Sequence, residues 1–522
     1  MRKYSPFFLF LVSLACCCGK SGGETPEPGP VAPTAIILDA STVSAPAEGV
    51  EQDIVIQAPG RPTVQIPSSA KSWLSFSEKG IYKNYSLTVT VKVAANEKYV
   101  SRSAEITVSS KGAENKTITV SQAAKEVIKD PELPDNAAVA RMRELGLGWN
   151  MGNHFDAYAN GVASETAWGG IPATQATFTG LKAKGFASVR IPITWMGHIG
   201  DAPDYTLDEA WLNRVYEVVG YAEAAGLNVI INTHHDEDHG ENDGHHWQDL
   251  RGAVDNATTN EKVKAEIKAV WTQIANKFKD KGDFLMMESF NELIYGSEWY
   301  SSSNTEKKCN VINEWNQVFV NAVRATGGNN ATRWLAVPGY AASSNFLRYL
   351  TVPEDTAHKT MLAFHCYDPY DFTIRQDKDK SGDRLWTPPA DWGHTGKSFP
   401  TGEEEIKTLF NGIYTNYIAK NIPIYMGEFG CSMRNKSDAK AWAYYLYYFE
   451  YFVKCAKTFG ISAFLWDNGA EGAGQEHHPY INHGTGAYMT SGEAPVKAMV
   501  KAWNTESATY TLQSVYDSAP KF

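Results

Sequence analysis

The stretch FLMMESFNE, Phe284 to Glu292, is apolar from Phe284 to Met287 and then closes on Asn291 and Glu292. An apolar run of this length is a buried strand, and its polar finish is what a strand delivers when its carboxyl end opens onto a pocket. Seven other runs share this texture: LGLGWNMG from Leu145, ASVRIPIT from Ala187, NVIINTHH from Asn228, RWLAVPGY from Arg333, MLAFHCY from Met361, PIYMGEFG from Pro423 and ISAFLWDNG from Ile461. Between them lie helical patterns such as DEAWLNRVYEVVGYAEAAG, EKVKAEIKAVWTQIANKFKD and INEWNQVFVNAVRATGG, which end in Gly or a Lys-rich turn. Alternating strands and helices on this scale predict an α/β fold, a (β/α)8 TIM barrel with long loops over residues 137–522.

The rest of the chain has a different texture. Arg2 and Lys3 precede FFLFLVSLA, an apolar run too short to span a bilayer, so residues 1–17 are expected to be a signal peptide. LAC or LACC before Gly-Lys-Ser-Gly-Gly resembles a bacterial lipobox, which makes Cys16 or Cys17 the expected lipid anchor and places the protein as an exported lipoprotein at the surface, or outer membrane, of a Gram-negative bacterium. Residues 18–34, rich in Gly, Pro and Glu, form a flexible linker. From 35 to 125, short alternating runs such as DIVIQ, YSLTVTVKVAA and KTITVSQAA predict a small all-β immunoglobulin-like sandwich. EVIKDPELPDN, residues 126–136, is the hinge.

A net charge of -11 argues against a nucleic-acid partner, and a monomer is expected. Cys309, Cys366, Cys431 and Cys455 show no CxxC spacing, so neither a disulfide scaffold nor a zinc site is expected.

Chemistry in such a barrel gathers at the carboxyl ends of its strands, and the polar residues fall there: Asn153, Arg190, His234 and His235, Asn291 and Glu292, His365 and Tyr367, Glu428, and Trp466. Two carboxylates across a barrel mouth are the equipment of glycoside hydrolysis, one protonated to serve the leaving oxygen and one bare to attack the anomeric carbon. Arg190 is the candidate to keep Glu428 charged, while burial and the charge of Glu428 are expected to raise Glu292 and make it the acid. A carboxyl separation of about 5 to 5.5 Å would signify retention through a covalent glycosyl-enzyme.

GWNMGNHFDA, ETAWGG, FASVRIPITW, NVIINTHHD, FNE, TGGNNATRWL, FHCYDPYDF, YMGEFG and FLWDNG, over most of residues 140–505, resemble family 5 glycoside hydrolases, most closely the endo-β-glucanases of subfamily 4. The resemblance implies Glu292 as acid/base, Glu428 as nucleophile held by Arg190, Asn291 on the sugar 2-hydroxyl, and Trp466 stacked beneath that sugar. It further implies His234, His365 and Tyr367 in the polar ring, with the Tyr367 hydroxyl beside Glu428. Asn153 and His235 become further substrate contacts. No metal or other cofactor is implied.

The chain departs from the family pattern where Leu293 replaces Pro after the catalytic Asn-Glu, which is expected to change the loop and not the chemistry, and where His154 stands in place of Thr. Trp73-Leu74, Asn96, RSAEITV from Arg102 and VSQAA from Val120 resemble a BACON module, expected to act as a spacer, with sugar binding as the alternative. The BACON-like module and expected lipid anchor resemble the arrangement in a surface endo-xyloglucanase, so the resemblance implies xyloglucan as the substrate. A cellulase, mixed-linkage glucanase or mannanase on the same scaffold, or a non-catalytic surface glycan-binding protein, stand as alternatives.

Three further readings concern the surroundings. Glu288 is expected to be a buried structural residue beneath Glu292, and Cys366 to pack away from the pocket. The cluster HHDEDHGENDGHH from His234 to His246 is expected to spread along a loop without holding a metal. Trp168, Trp247, Trp386 and Trp392 are candidate wall residues of an open cleft.

Overall fold

The computed structural model describes residues 30–522, apart from residues 99, 126, 241–243, 302, 376, 379–383 and 386. Cys16, Cys17 and Trp386 lie outside the described residues. The chain divides after Val127 into two units, a boundary inside the expected hinge.

In the first unit, two four-stranded sheets face each other. One runs in the order Ile37–Leu38, Val50–Gln57, Ser86–Val93, Leu74–Lys83, and the other Thr42–Ala45, Ala113–Gln122, Arg102–Ser110, Thr63–Gln65. Period-two placement fills the space between them: Ile54, Ile56, Val89, Val91, Ile106, Val108, Ile118 and Val120 are all fully buried. Asn96 donates to the carbonyls of Val100 and Ala123 at 3.0 and 2.8 Å, which ties a loop to the last strand. Trp73 is buried beneath Arg102, whose guanidinium lies 4.5 Å from the ring centre. Its face is therefore not offered to a sugar.

The second unit is a closed parallel barrel. Its strands are β1 (Leu147–Met151), β2 (Ser188–Ile191), β3 (Asn228–Ile231), β4 (Leu285–Glu288), β5 (Leu335–Ser343), β6 (Thr360–Cys366), β7 (Ile424–Phe429) and β8 (Ala463–Asp467), with β8 paired back to β1. All eight expected strands are in it. Helices cover the outside because their apolar residues repeat at helical spacing. In Glu209–Ala224, Trp211, Val215, Val218, Val219 and Ala222 form one buried stripe, and Asp208 caps the start by accepting from the Ala210 amide.

Two cores result. Outward-facing strand residues pack against the helices, while Ile230, Met286, Ala336, Met361, Ala363, Tyr425 and Phe464 fill the barrel interior, closed from below by Met142 and Leu145. This plug fixes the height at which the next inward layer sits, and that layer is polar.

Two irregularities re-aim side chains at the mouth. The pairing of β6 with β7 shifts between Phe364 and His365, so that His365 then pairs with Glu428, and β4 ends at Glu288 instead of continuing to Glu292. Asn291 and Glu292 therefore stand on the loop just beyond the strand.

Candidate active site

The floor of the mouth is built around Arg190 on β2. Its side chain is fully buried, and every nitrogen has a partner: Nε donates to Glu288 Oε2 at 2.7 Å, one Nη donates to Glu428 Oε1 at 2.8 Å and to Asn150 Oδ1 at 3.0 Å, and the other Nη donates to Asn291 Oδ1 at 3.0 Å. Burial works against this charge, but Glu288 and Glu428 outweigh it and raise the pKa of the guanidinium. Glu288, expected to be structural, is fully buried and also accepts from Tyr425 at 2.6 Å and Asn232 at 3.2 Å.

Above this layer lie the two exposed-side carboxylates. Glu428 accepts from the Tyr367 hydroxyl at 2.9 Å, and Glu292 shares a 2.6 Å hydrogen bond with His365 Nδ1. One carboxylate oxygen of Glu292, one of Glu428 and a His365 ring nitrogen all lie within 4.8 Å of one another. Two carboxylates so close cannot both be bare without cost, so one proton is shared within this triangle.

The expected upward shift of Glu292 is corrected here. Burial raises it, but the His365 hydrogen bond and charge outweigh burial and draw it below the ordinary carboxylate value. Glu428 is raised, by burial first and then by the charge of Glu292, against the pull of His365, Arg190 and Tyr367. His365 is itself raised, because Glu428 and the Glu292 hydrogen bond outweigh its burial. The acid's proton is therefore stored in the Glu292–His365 hydrogen bond. Once it sits on Glu292, the repulsion on Glu428 disappears, and Arg190 and Tyr367 go on favouring its charged form against burial.

His234 is buried and neutral, its pKa lowered chiefly by burial, and it lies parallel to Trp466 at 5.8 Å between ring centres. His235 is lowered to about 4, again chiefly by burial. Glu292, Glu428, Asn291, His234, His235, His365, Tyr367 and Trp466 all line one cavity of about 640 Å³. Asn153 does not line it: its backbone is left-handed, in a turn whose amide donates to Asp156 at 2.9 Å. His154 is buried beside it, with Nε2 2.9 Å from the Ile171 carbonyl, so this departure serves the loop's interior. Leu293 is buried, and its carbonyl accepts from Ala341 at 2.8 Å, binding the loop after β4 to β5.

Sequence reasoning missed Asn150, Asn232 and Tyr425, the partners that hold Arg190 and Glu288. The wall candidates divide. Trp168 is 44% exposed and 5.6 Å from His235, whereas Trp392 is fully buried among Phe372, Tyr447, Tyr448 and Tyr451, and Trp247 packs half-buried against the outer core. Trp392 is thus core and not cleft, a correction. Cys366 packs in the outer core, its thiol well above its ordinary pKa through burial.

Among the described residues of the His234–His246 cluster, His234 and His235 meet a third ligand atom only from outside it, from Asp156. Both Asp156 oxygens already accept backbone amides, from Asn153 and His154.

Comparison with known proteins follows the same outline. Residues 152–472 match the family model for cellulase (glycosyl hydrolase family 5), and residues 63–123 match BACON, described as a putative N-terminal binding domain. Endoglucanase A of Ruminococcus albus is 35% identical, over 70% of this chain and 93% of its own length. A xyloglucan-specific endo-beta-1,4-glucanase of Bacteroides ovatus is 32% identical over 81% of this chain and 84% of its own. Among solved structures, a GH5-4 broad specificity endoglucanase from Bacteroides salanitronis is 42% identical, with a TM-score of 0.65 over 73% of this chain and 99% of that one. The Bacteroides ovatus GH5 xyloglucanase in complex with a XXXG heptasaccharide aligns with a TM-score of 0.60 and 28% identity over 90% of this chain and 100% of that one.

Proposed function

The chain belongs to glycosyl hydrolase family 5, among the retaining endo-β-1,4-glucanases of its subfamily 4, and from that premise we propose that it cuts xyloglucan at the cell surface with Glu292 as acid/base and Glu428 as nucleophile. The observation that carries the catalytic assignment is the triangle of Glu292, His365 and Glu428 within 4.8 Å, close enough for both carboxylates to reach one glycosidic bond from opposite sides.

Glu428, held by hydrogen bonds from Arg190 and Tyr367, attacks the anomeric carbon while Glu292 protonates the departing oxygen. A glycosyl-enzyme ester forms. Water then enters, Glu292 takes its proton, and Glu428 leaves. Asn291, oriented by Arg190, faces the 2-hydroxyl, and Trp466, set parallel to His234, lies under the same sugar. A Cys16 or Cys17 lipid would hold the enzyme on the outer membrane, a reading supported by the lipobox-like sequence.

Xyloglucan is favoured by the likeness to the Bacteroides ovatus enzyme, whose structure is matched over 90% of this chain. A broad-specificity endoglucanase is the second reading, favoured by the higher identity to the Bacteroides salanitronis enzyme. Purified protein incubated with xyloglucan, carboxymethyl-cellulose, lichenan and mannan decides between them. Xyloglucan cleaved fastest supports the first reading, comparable rates on all three glucans support the second, and mannan cut alone removes both. Glu428→Ala must abolish hydrolysis while polysaccharide still binds; unchanged hydrolysis would remove Glu428 from the mechanism.

A further inference from the structure

We propose that Glu237, on the loop after β3, is a positioning residue for the reaction, an uncharged carboxyl group behind the pocket wall that steadies the Asn291 amide against the sugar 2-hydroxyl. The proposal rests on the glucanase reading and extends it to a residue that does not itself line the cavity.

Glu237 is 3% exposed, and among the described residues neither of its carboxyl oxygens has a hydrogen-bond partner of ordinary length. The contrast with Glu288 is plain: equally buried, that group has Arg190, Tyr425 and Asn232 on its oxygens. A buried carboxylate without donors is costly, so Glu237 keeps its proton. The groups around it agree. Its Oε1 faces His239 Nε2 at 3.4 Å and His235 Nδ1 at 3.9 Å, and His235 is itself held neutral, chiefly by burial. Burial raises Glu237 well above the ordinary carboxylate value, and the charges of Asp236 and Glu292 raise it further, while the Asn291 side chain draws it down.

That last effect identifies the neighbour that Glu237 serves. Asn291 gives its oxygen to Arg190 at 3.0 Å, and its nitrogen, the end that can donate, is near enough to act on the Glu237 carboxyl. One N–H turned to Glu237 leaves the other for the sugar. The backbone fixes this approach. Glu237 bridges to Gln248, whose Nε2 donates to Thr233 Oγ1 at 2.7 Å, and the Thr233 hydroxyl donates to the Ser289 carbonyl at 2.9 Å. Ser289 lies two residues before Asn291, so the loops after β3 and β4 are laced together where the two side chains meet. A neutral acid steadies the amide without setting another negative charge beside Glu292.

The test compares wild type, Glu237→Ala and Glu237→Gln. On 2,4-dinitrophenyl β-cellobioside, Glu237→Ala should lower kcat/KM by about tenfold. On the same glycoside lacking the 2-hydroxyl of the attacked ring, it should stay within about twofold of wild type, because the hydroxyl that Asn291 serves is gone. Equal losses on both would reduce Glu237 to packing and overturn the proposal. Glu237→Gln, uncharged and of the same shape, should recover most of the loss. On whichever of xyloglucan and carboxymethyl-cellulose the wild type cuts faster, it should also leave the alkaline limb of the kcat/KM profile in place. A limb moved to lower pH would show that Glu237 carries a charge that raises Glu292, and would overturn the proposal even where the Ala variant does not fold. A wild type that cuts neither polysaccharide would instead overturn the glucanase reading itself, and this role of Glu237 with it.

Discussion

Arg190 joins Glu288 to Glu428, at 2.7 Å on one side and 2.8 Å on the other, with the guanidinium wholly out of water. One buried cation thus serves two buried anions, so its removal leaves both uncompensated. Arg190→Met should destabilise the fold by about 3–5 kcal/mol and abolish turnover. Adding Glu288→Gln removes one stranded charge and should recover part of the stability but none of the activity. Thermal unfolding with parallel assays checks this; a double variant as unstable as the single one would separate Glu288 from the network.

In the first step Glu292 is required only where the leaving oxygen needs a proton. Glu292→Ala should lower kcat/KM on polysaccharide by about 10²–10⁴, whereas from 2,4-dinitrophenyl β-cellobioside the dinitrophenolate, a weak base, should still depart. The second step lacks its base, so stopped-flow should record a burst of dinitrophenolate followed by slow turnover. A uniform loss on both substrates without a burst would assign the acid role elsewhere.

The stored proton gives the pH dependence its sign. His365 is raised above its ordinary value by Glu428 and Glu292, so the Glu292–His365 pair keeps its proton below that raised pKa and loses it as pH rises through it. With His365→Asn the proton rests on Glu292 alone, and the alkaline limb of the kcat/KM profile should move to lower pH. An alkaline limb that does not move would show that His365 takes no part in holding the proton.

The barrel was legible because each strand is a continuous apolar run that ends in polar residues, and this pattern survives without tertiary information. The same continuity hid Asn150, Asn232 and Tyr425. In strands buried on both faces, period two leaves no mark, so nothing distinguishes the inward layer that holds Arg190 and Glu288 from the layer that packs on helices. The proton balance of Glu292 was not legible, because the shift in pairing that brings His365 against it is a property of two strands together. Trp392 was misplaced for a similar reason: the tyrosines that bury it, Tyr447, Tyr448 and Tyr451, come from a helix far along the chain.

Gly152 supplies the last prediction, since it sits directly against the Trp466 ring. A methyl group added there would lie 2.6 and 2.7 Å from Trp466 ring carbons, inside any tolerable contact. Beside the indole the His234 ring lies parallel, 5.8 Å away between ring centres. Gly152→Ala should therefore tilt Trp466 out of register, destabilise the barrel by about 1–3 kcal/mol, and lower kcat/KM by up to about 10²-fold through misplacement of the sugar. Gly220 is the control: it lies inside the helix Glu209–Ala224, where an added methyl meets nothing within 4 Å, and Gly220→Ala should stabilise by about 0.5–1 kcal/mol with activity unchanged. Equal kcat/KM for the two variants would mean that the position of Trp466 does not govern the reaction.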